Sequence, residues 1–539
     1  MPPNPLSTGE AVALSFFRQT RREIDRYWMA KRPQKKAPGP QGTLEFNVEY
    51  RAAPTAAAIK FTMPERSMLR LGGTPFQDYL RVHQAWALDL TTMLGTLEWS
   101  GFEKAYEPKG RKPYHPSVMI GLILYGLIIN RSSLRELELA GRTDIGAMWI
   151  CGGLQPDHAS IGRFLKRHTQ LLTTEFFVDV TKRIAKARKL TIGTVAIDGT
   201  VVEAVSARFG ALKHEALKSR VVEKTAASEA SPSDDNDAAL TAAKQALEIA
   251  EDRIKNRVGK GKSADAILVH PLEPEAAYQP LKNRLRRPSY KPSIIVHDSG
   301  LIVGQHLHPT SETAVVVDLL DQHEAVMGGA PKTLLADSAY SAIAILVVAV
   351  ERNIDILAPE GRAVDKATHA RSTNSVFPKR LFVYDDATNT FQCPAKKTLT
   401  VEERSKTWTR YRCAECNDCP NRQQCTPKSK NGRTIKRYVG EELKEGMRTV
   451  FEQRAAREAY RRRPAIVERH FGGLKAALPR FRRRGIAGAR LELALYCIAA
   501  NLKAAFAVFL VAYFPETDAD RAPAPPRIIV ICVWARVQA

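Results

Sequence analysis

Two short apolar runs, each closed by an aspartate, constrain this chain's fold more than any other feature. In "TIGTVAIDGTVVEA" the residues Val195 to Ile197 run into Asp198-Gly199, and in "KTLLAD" the apolar residues end on Asp337. Apolar runs of this length bounded by turn residues read as buried strands. Between them lie a hairpin, "SIIVH" and "LIVGQHLH" around the turn Asp298-Ser299-Gly300, and a helix from Glu312 to Met327. A helix from Ala342 to Arg352 and the strand "IDILAP" follow. The order strand, strand, strand, helix, strand, helix, strand predicts a mixed α/β layer. Ligands collect outside strand ends in open α/β sheets, so neighbouring strands would bring Asp198 and Asp337 together. An aspartate in that position can also simply begin a turn.

The regions around this layer differ in texture. Residues 1–74 are rich in Pro, Ala and basic residues and are expected to form a loosely ordered basic arm. Residues 75–190 have a helical pattern: Pro116 opens "SVMIGLILYGLII", Ser133 and Glu136 form a capping box, and another helix follows Asp157. Within the α/β region, 191–508, two inserts are expected. One, 212–287, has helical composition broken by "SEASPSDDND"; the other, 360–450, is rich in cysteine. Residues 509–539 form a tail.

Net charge is +24 with a pI near 9.7, which points to a polyanionic partner, nucleic acid first. The first residues lack the charged and apolar regions of a signal peptide, so an intracellular protein is expected. The apolar run from Ala494 to Tyr513 contains Asn501 and Lys503, costly in a bilayer, and predicts a buried helix rather than a membrane span.

The charge is densest from Arg461 to Arg484, which holds nine Lys or Arg and one acid, Glu468. Pro464 fits the first turn of a helix running through Leu478, on which Val467, Phe471, Leu474 and Leu478 make one apolar stripe. Glu468 emerges at the border of that stripe, Lys475 lies two turns along the same face, and Gly472 leaves the face uncrowded. There Glu468 could join Asp198 and Asp337 to hold two divalent cations roughly 3.5–4 Å apart for phosphoryl transfer. The plainer alternative is an ion pair with Arg461, Arg469 or Lys475.

The run "CAECNDCPNRQQC" supplies Cys413, Cys416, Cys419 and Cys425, with Cys393 about twenty residues upstream. Four thiolates at these spacings are a candidate structural zinc site; an iron–sulfur cluster or plain buried thiols are the alternatives. Cys151, Cys497 and Cys532 sit in apolar surroundings and are expected in the core. His297, His306 and His308 are expected to be structural, and Trp149 a core anchor.

Taken together, "AIDGTVVEA", "LLADSAYSA" and "YRRRPAIVERHFGGLKAALPRFRRRGI", with "HPSVMIGLILYGLIINRSSLRELE" and "PDHASIGRF" before them, resemble an insertion-sequence DDE transposase. The subgroup resembled carries a cysteine-rich insert before the last acid, and the likeness spans about residues 75 to 508. It implies a ribonuclease H-like mixed sheet with flanking helices, preceded by an all-helical domain that handles DNA ends. It further implies Mg²⁺ or Mn²⁺ dependence, hydrolysis at transposon ends, and joining of the freed 3′-hydroxyl to target DNA. By this likeness Asp198, Asp337 and Glu468 are the catalytic metal ligands. Tyr460, Arg463, Lys475, Arg482, Arg483 and Arg484 hold DNA. Partners would be the terminal repeats and target DNA, with a homodimer on DNA, in a cytoplasmic, nucleoid-associated protein away from membranes. Two departures stand out: four residues separate Arg463 from Glu468 where the common signature has three, and Ser-Ala-Tyr follows Asp337 where relatives often have a basic residue and Gly. The alternatives are a catalytically inactive DNA-binding relic or repressor, and a metal-dependent nuclease without strand transfer.

Overall fold

The computed structural model describes residues 61–107, 111–259, 263–281, 285–359, 377, 379–426, 429 and 431–512. Most of the expected basic arm, and the tail from residue 513 with Cys532, lie outside the described residues. Contacts divide the chain into two units.

One unit comprises Phe61–Glu103, Arg111–Phe164 and the chain from Ile498. Its helices are α1 (Phe76–His83), α2 (Ala85–Gly95), α3 (Pro116–Ile128), α4 (Leu134–Thr143), α5 (Ile145–Cys151) and most of α6 (His158–Arg167). Helix α3 is apolar nearly all round and correspondingly central, with Val118, Leu122, Leu124 and Tyr125 fully buried. The capping box is present: the Glu136 amide donates to Ser133 Oγ at 3.2 Å, and the Ser133 amide to Glu136 Oε2 at 2.9 Å. Asp157 opens α6 by accepting from the Ser160 amide at 2.8 Å. Trp149 is nearly buried and its indole N–H donates to Thr91 Oγ1 at 3.2 Å; Cys151 is fully buried beside it in sequence.

The other unit is dominated by Leu165–Cys497. After α7 (Glu175–Ala187) come β1 (Thr194–Gly199) and β2 (Val202–Glu203), then an antiparallel helical pair, α8 (His214–Ala230) and α9 (Asp234–Val258). Ser233 caps α9 within the expected breaker, and Leu217, Ala246, Ala250 and Val269 give the pair a small core of its own. The chain continues through β3 (Ala277–Pro280), β4 (Arg286–His297), β5 (Ile302–His308), α10 (Val316–Met327), β6 (Thr333–Leu335), α11 (Ile343–Glu351) and β7 (Asp355–Leu357). The seven strands form one mixed sheet ordered β2-β4-β1-β6-β7, with β3 and β5 also paired to β4. The expected strand and helix order is present; β2 and β3 enlarge the sheet beyond it. Both are short, and β3, with the first residues of β4, lies inside the stretch 212–287 expected to be a helical insert, whose helices end at Val258.

Strand β1 runs antiparallel to β4, with Ile197 opposite Ile295, and parallel to β6, with Ala196 opposite Leu335. Val195, Ala196, Ile197, Leu334 and Leu335 are wholly buried, as the continuous apolar runs of a two-sided strand require. A second, antiparallel sheet fills the cysteine-rich insert: β8 (Val383–Asp385), β9 (Thr390–Gln392), β10 (Thr398–Arg404), β11 (Trp408–Arg412) and β12 (Thr434–Tyr438). Helices α12 (Glu441–Glu452), α13 (Arg454–Arg461), α14 (Arg463–Ala477) and α15 (Gly485–Ala512) complete the described chain.

Helix α14 carries the apolar stripe as expected, with Val467 and Leu474 buried and Phe471 and Leu478 nearly so. It packs on β1 and β4. Among the described residues α15 is the one helix long and apolar enough to cross a membrane; Leu491, Leu493, Ala494 and Ile498 on it are buried in the protein, and the Nζ of Lys503 reaches Asn130 Oδ1 at 3.2 Å.

Candidate active site

Because β1 and β6 are parallel neighbours in register, Asp198 and Asp337 stand at the same end of the sheet, each two residues beyond the Ala196–Leu335 pair; Asp337 lies past β6, whereas Asp198 and Gly199, expected as a turn, are still strand and pair with Ile294 and Ser293 of β4. Asp198 Oδ1 accepts from the Gly199 amide at 2.8 Å. Asp337 caps a short 3₁₀ turn, Ser338–Tyr340, by accepting from the Ala339 amide at 2.8 Å. Burial lifts the Asp198 carboxyl above its ordinary range; the adjacent Arg463 guanidinium opposes the rise, while the charges of Asp337 and Glu312 add to it. The two acids therefore share one electrostatic environment.

Arg463 opens α14 and is buried against this end of the sheet. Its Nη2 stands 2.8 Å from Asp198 Oδ2 and 3.3 Å from the Ile197 carbonyl oxygen. Tyr460, on the preceding helix, hydrogen-bonds Arg463 and packs edge-on against Phe451 at 5.2 Å. Both residues of the basic signature thus stand beside Asp198, with Arg463 acting as its counter-ion.

Glu468 follows fully buried Val467 and is exposed on α14. Among the described residues it forms no ion pair: Arg469 lies over Gly300, Arg462 reaches Asp298 at 3.5 Å, and the expected alternative of a basic partner for Glu468 is not seen. Gly300 has φ +84°, so the turn favours glycine, and a Cβ there would displace the Arg469 guanidinium, whose Nη2 would lie 1.5 Å away. Together with Tyr496 Oη, which donates to the His470 carbonyl at 3.2 Å, these contacts pin α14 on two sides. Glu468 is therefore displayed from a fixed helix. The structure does not gather it with Asp198 and Asp337: among the described residues no three His, Cys, Asp or Glu are arranged to hold a metal ion.

Lys475 is half-buried further along α14, and Arg482 and Arg484 are exposed in the loop that follows. That loop is fixed from both ends. Phe481 is buried against Tyr290 and its amide donates to the Glu203 carbonyl at 2.9 Å. The amides of Arg482 and Arg483 donate to the Glu492 carboxylate. A basic loop is thereby held along the sheet's edge strand.

Sequence reasoning missed three residues at this end of the sheet. A Cβ on Gly199 would lie 2.9 Å from Glu312 Oε2 and 3.0 Å from Ser293 Oγ, so Glu312 presses against the end of β1 just after Asp198. Lys291 Nζ pairs with Glu312 at 3.2 Å. Tyr340 is fully buried, its hydroxyl lacks a partner among the described residues, and burial with the charges of Glu312, Asp198 and Asp337 pushes its ionisation far up. Glu312 had been legible only as the acid that opens a helix. Hard carboxylate oxygens at a half-buried strand end, two of them neutralised by the protein's own Arg463 and Lys291, suit a magnesium or manganese ion chemically.

The cysteines form a separate cluster. Cys393, Cys413, Cys416, Cys419 and Cys425 line one small cavity, so Cys393 joins the four singled out by spacing. Cys393 Sγ accepts from the Lys397 amide at 3.2 Å and Cys416 Sγ from the Arg433 amide at 3.4 Å. Burial pushes the Cys413 thiol up to about 12, and neighbouring Cys416 adds to it. Two of the hairpin histidines tie the backbone: His297 bonds the Thr191 carbonyl and Ser299, and His308 accepts from two backbone amides. Cys497 is fully buried.

Comparison with known families agrees with this class of protein. Residues 389–506 match the model described as Transposase DDE domain, and residues 79–167 the one described as Transposase domain (DUF772). The first range contains Glu468 and the five cysteines; the stretch with Asp198 and Asp337 lies outside both. No curated protein matches the chain. The two matches support an insertion-sequence DDE transposase, a DNA-cleaving enzyme of a class that generally uses divalent metals.

Proposed function

We propose that this chain is an insertion-sequence DDE transposase with a ribonuclease H-like catalytic domain, in which Asp198, Asp337 and Glu468 are the catalytic acids. The observation that carries the reading is the parallel register of β1 and β6, which brings Asp198 and Asp337 to the same end of neighbouring strands. Divalent cations held by these carboxylates would lower the pKa of the attacking oxygen and stabilise the leaving one. Water then attacks the phosphodiester at each transposon end, releasing a 3′-hydroxyl and a 5′-phosphate. That hydroxyl attacks a target phosphodiester, forming the new bond as the target's own 3′-oxygen leaves.

The chain's own residues prepare these steps. Arg463 neutralises Asp198 in the cation-free protein, holding the carboxylate in place against repulsion from Asp337. Tyr460, Lys475 and the loop of Arg482, Arg483 and Arg484 grip DNA phosphates, setting the register of the strand on the acids. Glu468, displayed on α14, joins the two aspartates when DNA ends bind. A structural zinc ion among the cysteines, a homodimer on paired ends, and a cytoplasmic site of action complete the reading.

The test is the reaction itself. With the DNA flanking this gene as substrate and Mg²⁺ present, the wild-type chain should release ends and join them to target, and Asp198→Ala, Asp337→Ala and Glu468→Ala should each abolish both. Release without joining would indicate a nuclease, and tight binding of ends without cleavage would indicate a DNA-binding relic.

A further inference from the structure

We infer that Glu312 is a fourth acid of the active site, contributing to divalent-cation binding alongside Asp198 and Asp337. The inference rests on the cation-binding role proposed for those two aspartates. Glu312 is brought there by the fold: it follows β5, and the loop before it is tied down by His308 Nδ1, which accepts from the amides of Thr310 and Ser311 at 3.1 and 2.9 Å. Ser311 Oγ in turn accepts from the Ala314 amide at 3.2 Å. The carboxylate so fixed lies against Gly199, within 2.9 Å of where a Cβ would be, and only glycine after Asp198 leaves it room.

Two buried hydroxyls belong to the same neighbourhood. Tyr340 Oη and Ser293 Oγ are both fully buried and lack partners among the described residues, and an unsatisfied buried hydroxyl costs about 1–3 kcal/mol. Ser293 Oγ is 3.0 Å from the same Gly199 position that Glu312 approaches, and Tyr340 feels the charges of Glu312, Asp198 and Asp337. In the cation-free protein these acids are not yet arranged around an ion, but Asp198 feels the charges of both Asp337 and Glu312, and acids so coupled beside unsatisfied hydroxyls gain from a ligand able to draw them together. Basic side chains hold two of the acids meanwhile: Arg463 on Asp198 at 2.8 Å and Lys291 on Glu312 at 3.2 Å. A divalent ion competes with both, so Lys291 and Glu312 act on its affinity in opposite directions.

Manganese titration of the DNA-free full chain, followed by calorimetry, reads this directly. Glu312→Gln should weaken Mn²⁺ binding by about tenfold or more, whereas Lys291→Met should tighten it a few-fold. If Glu312 is only the ion-pair partner of Lys291, both substitutions will lower thermal stability alike and leave Mn²⁺ affinity unchanged, which overturns the inference. Asp198→Asn separates the layers of argument. Loss of binding in that variant but not in Glu312→Gln refutes the role of Glu312 alone; wild-type binding in Asp198→Asn refutes the cation site itself.

Discussion

The carboxylates at the end of the seven-stranded sheet and the thiols of the five-stranded sheet are side chains of types that ligate metals, brought near one another by opposite means. Asp198 and Asp337 come from strands far apart in sequence, placed side by side by backbone pairing, and the protein's own cations neutralise part of their charge. The cysteines come mostly from one short run; burial raises the thiols of Cys413 and Cys425, and local turns hold the group around one small cavity. On the proposed reading, the hard-cation site is set by tertiary register and electrostatics and the soft one by local spacing and desolvation. Damage to the first should cost chemistry and leave the fold; damage to the second should cost local fold and leave the first site standing.

The largest effect is expected at the carboxylates. Asp337→Asn and Glu468→Gln should each lower strand cleavage by roughly a thousandfold or more, with end-binding in a mobility-shift assay changed little. The mirror experiment is on the thiols. Protein purified without chelator should carry one zinc per chain by metal analysis. Cys413→Ser with Cys416→Ser should remove it, expose the insert to proteases, and leave Mn²⁺ affinity at the sheet end unchanged. A pair of Cys→Ser changes that alters Mn²⁺ binding would collapse the distinction between the two clusters.

Support for the sheet should also be sensitive to acid. His323 on α10 is fully buried, and desolvation lowers its imidazole to about 4 from an ordinary 6.5. Since the folded value is depressed, its stabilising contribution is complete above pH 6.5 and is lost as pH falls through 4. Unfolding midpoints should drop between pH 7 and pH 4.5, and His323→Phe should reduce that drop. Smaller effects test the mounting of α14. Gly300→Ala should cost about 2 kcal/mol, because it forces a left-handed residue and displaces Arg469. Gly472→Ala, mid-helix with open space around it, should stabilise by about 0.5–1 kcal/mol in thermal unfolding. If Gly472 leaves room for a DNA strand, the same variant should bind ends more weakly despite being more stable.

The parts of this architecture that declare themselves in sequence are those with strong periodicity. The apolar runs ending in Asp198 and Asp337, the hairpin turning at Gly300, the stripe on α14 and the Ser133 capping box all carry local signals, and all appear where the pattern puts them. The five-stranded sheet did not, because strands such as Val383–Asp385 and Thr390–Gln392 are three residues long, too short to carry a clear alternation. Glu312 was hidden for another reason. An acid beginning a helix is ordinary, and only the packing of that turn against Gly199 gives it a place in the site. Arg463 was legible as part of a basic signature, but its burial against Asp198 depends on how α14 docks on β1, which no local pattern encodes.

The central claim is that Asp198, Asp337 and Glu468 come together on the same ions when DNA ends bind. Iron(II) substituted for magnesium, with ascorbate and peroxide, cuts the polypeptide backbone next to wherever it is bound. In the complex with end DNA, cuts are expected near residues 198, 337 and 468, with the cut near 468 weak or missing when DNA is left out. Cuts near 198 and 337 but never near 468 in the DNA complex would contradict the account.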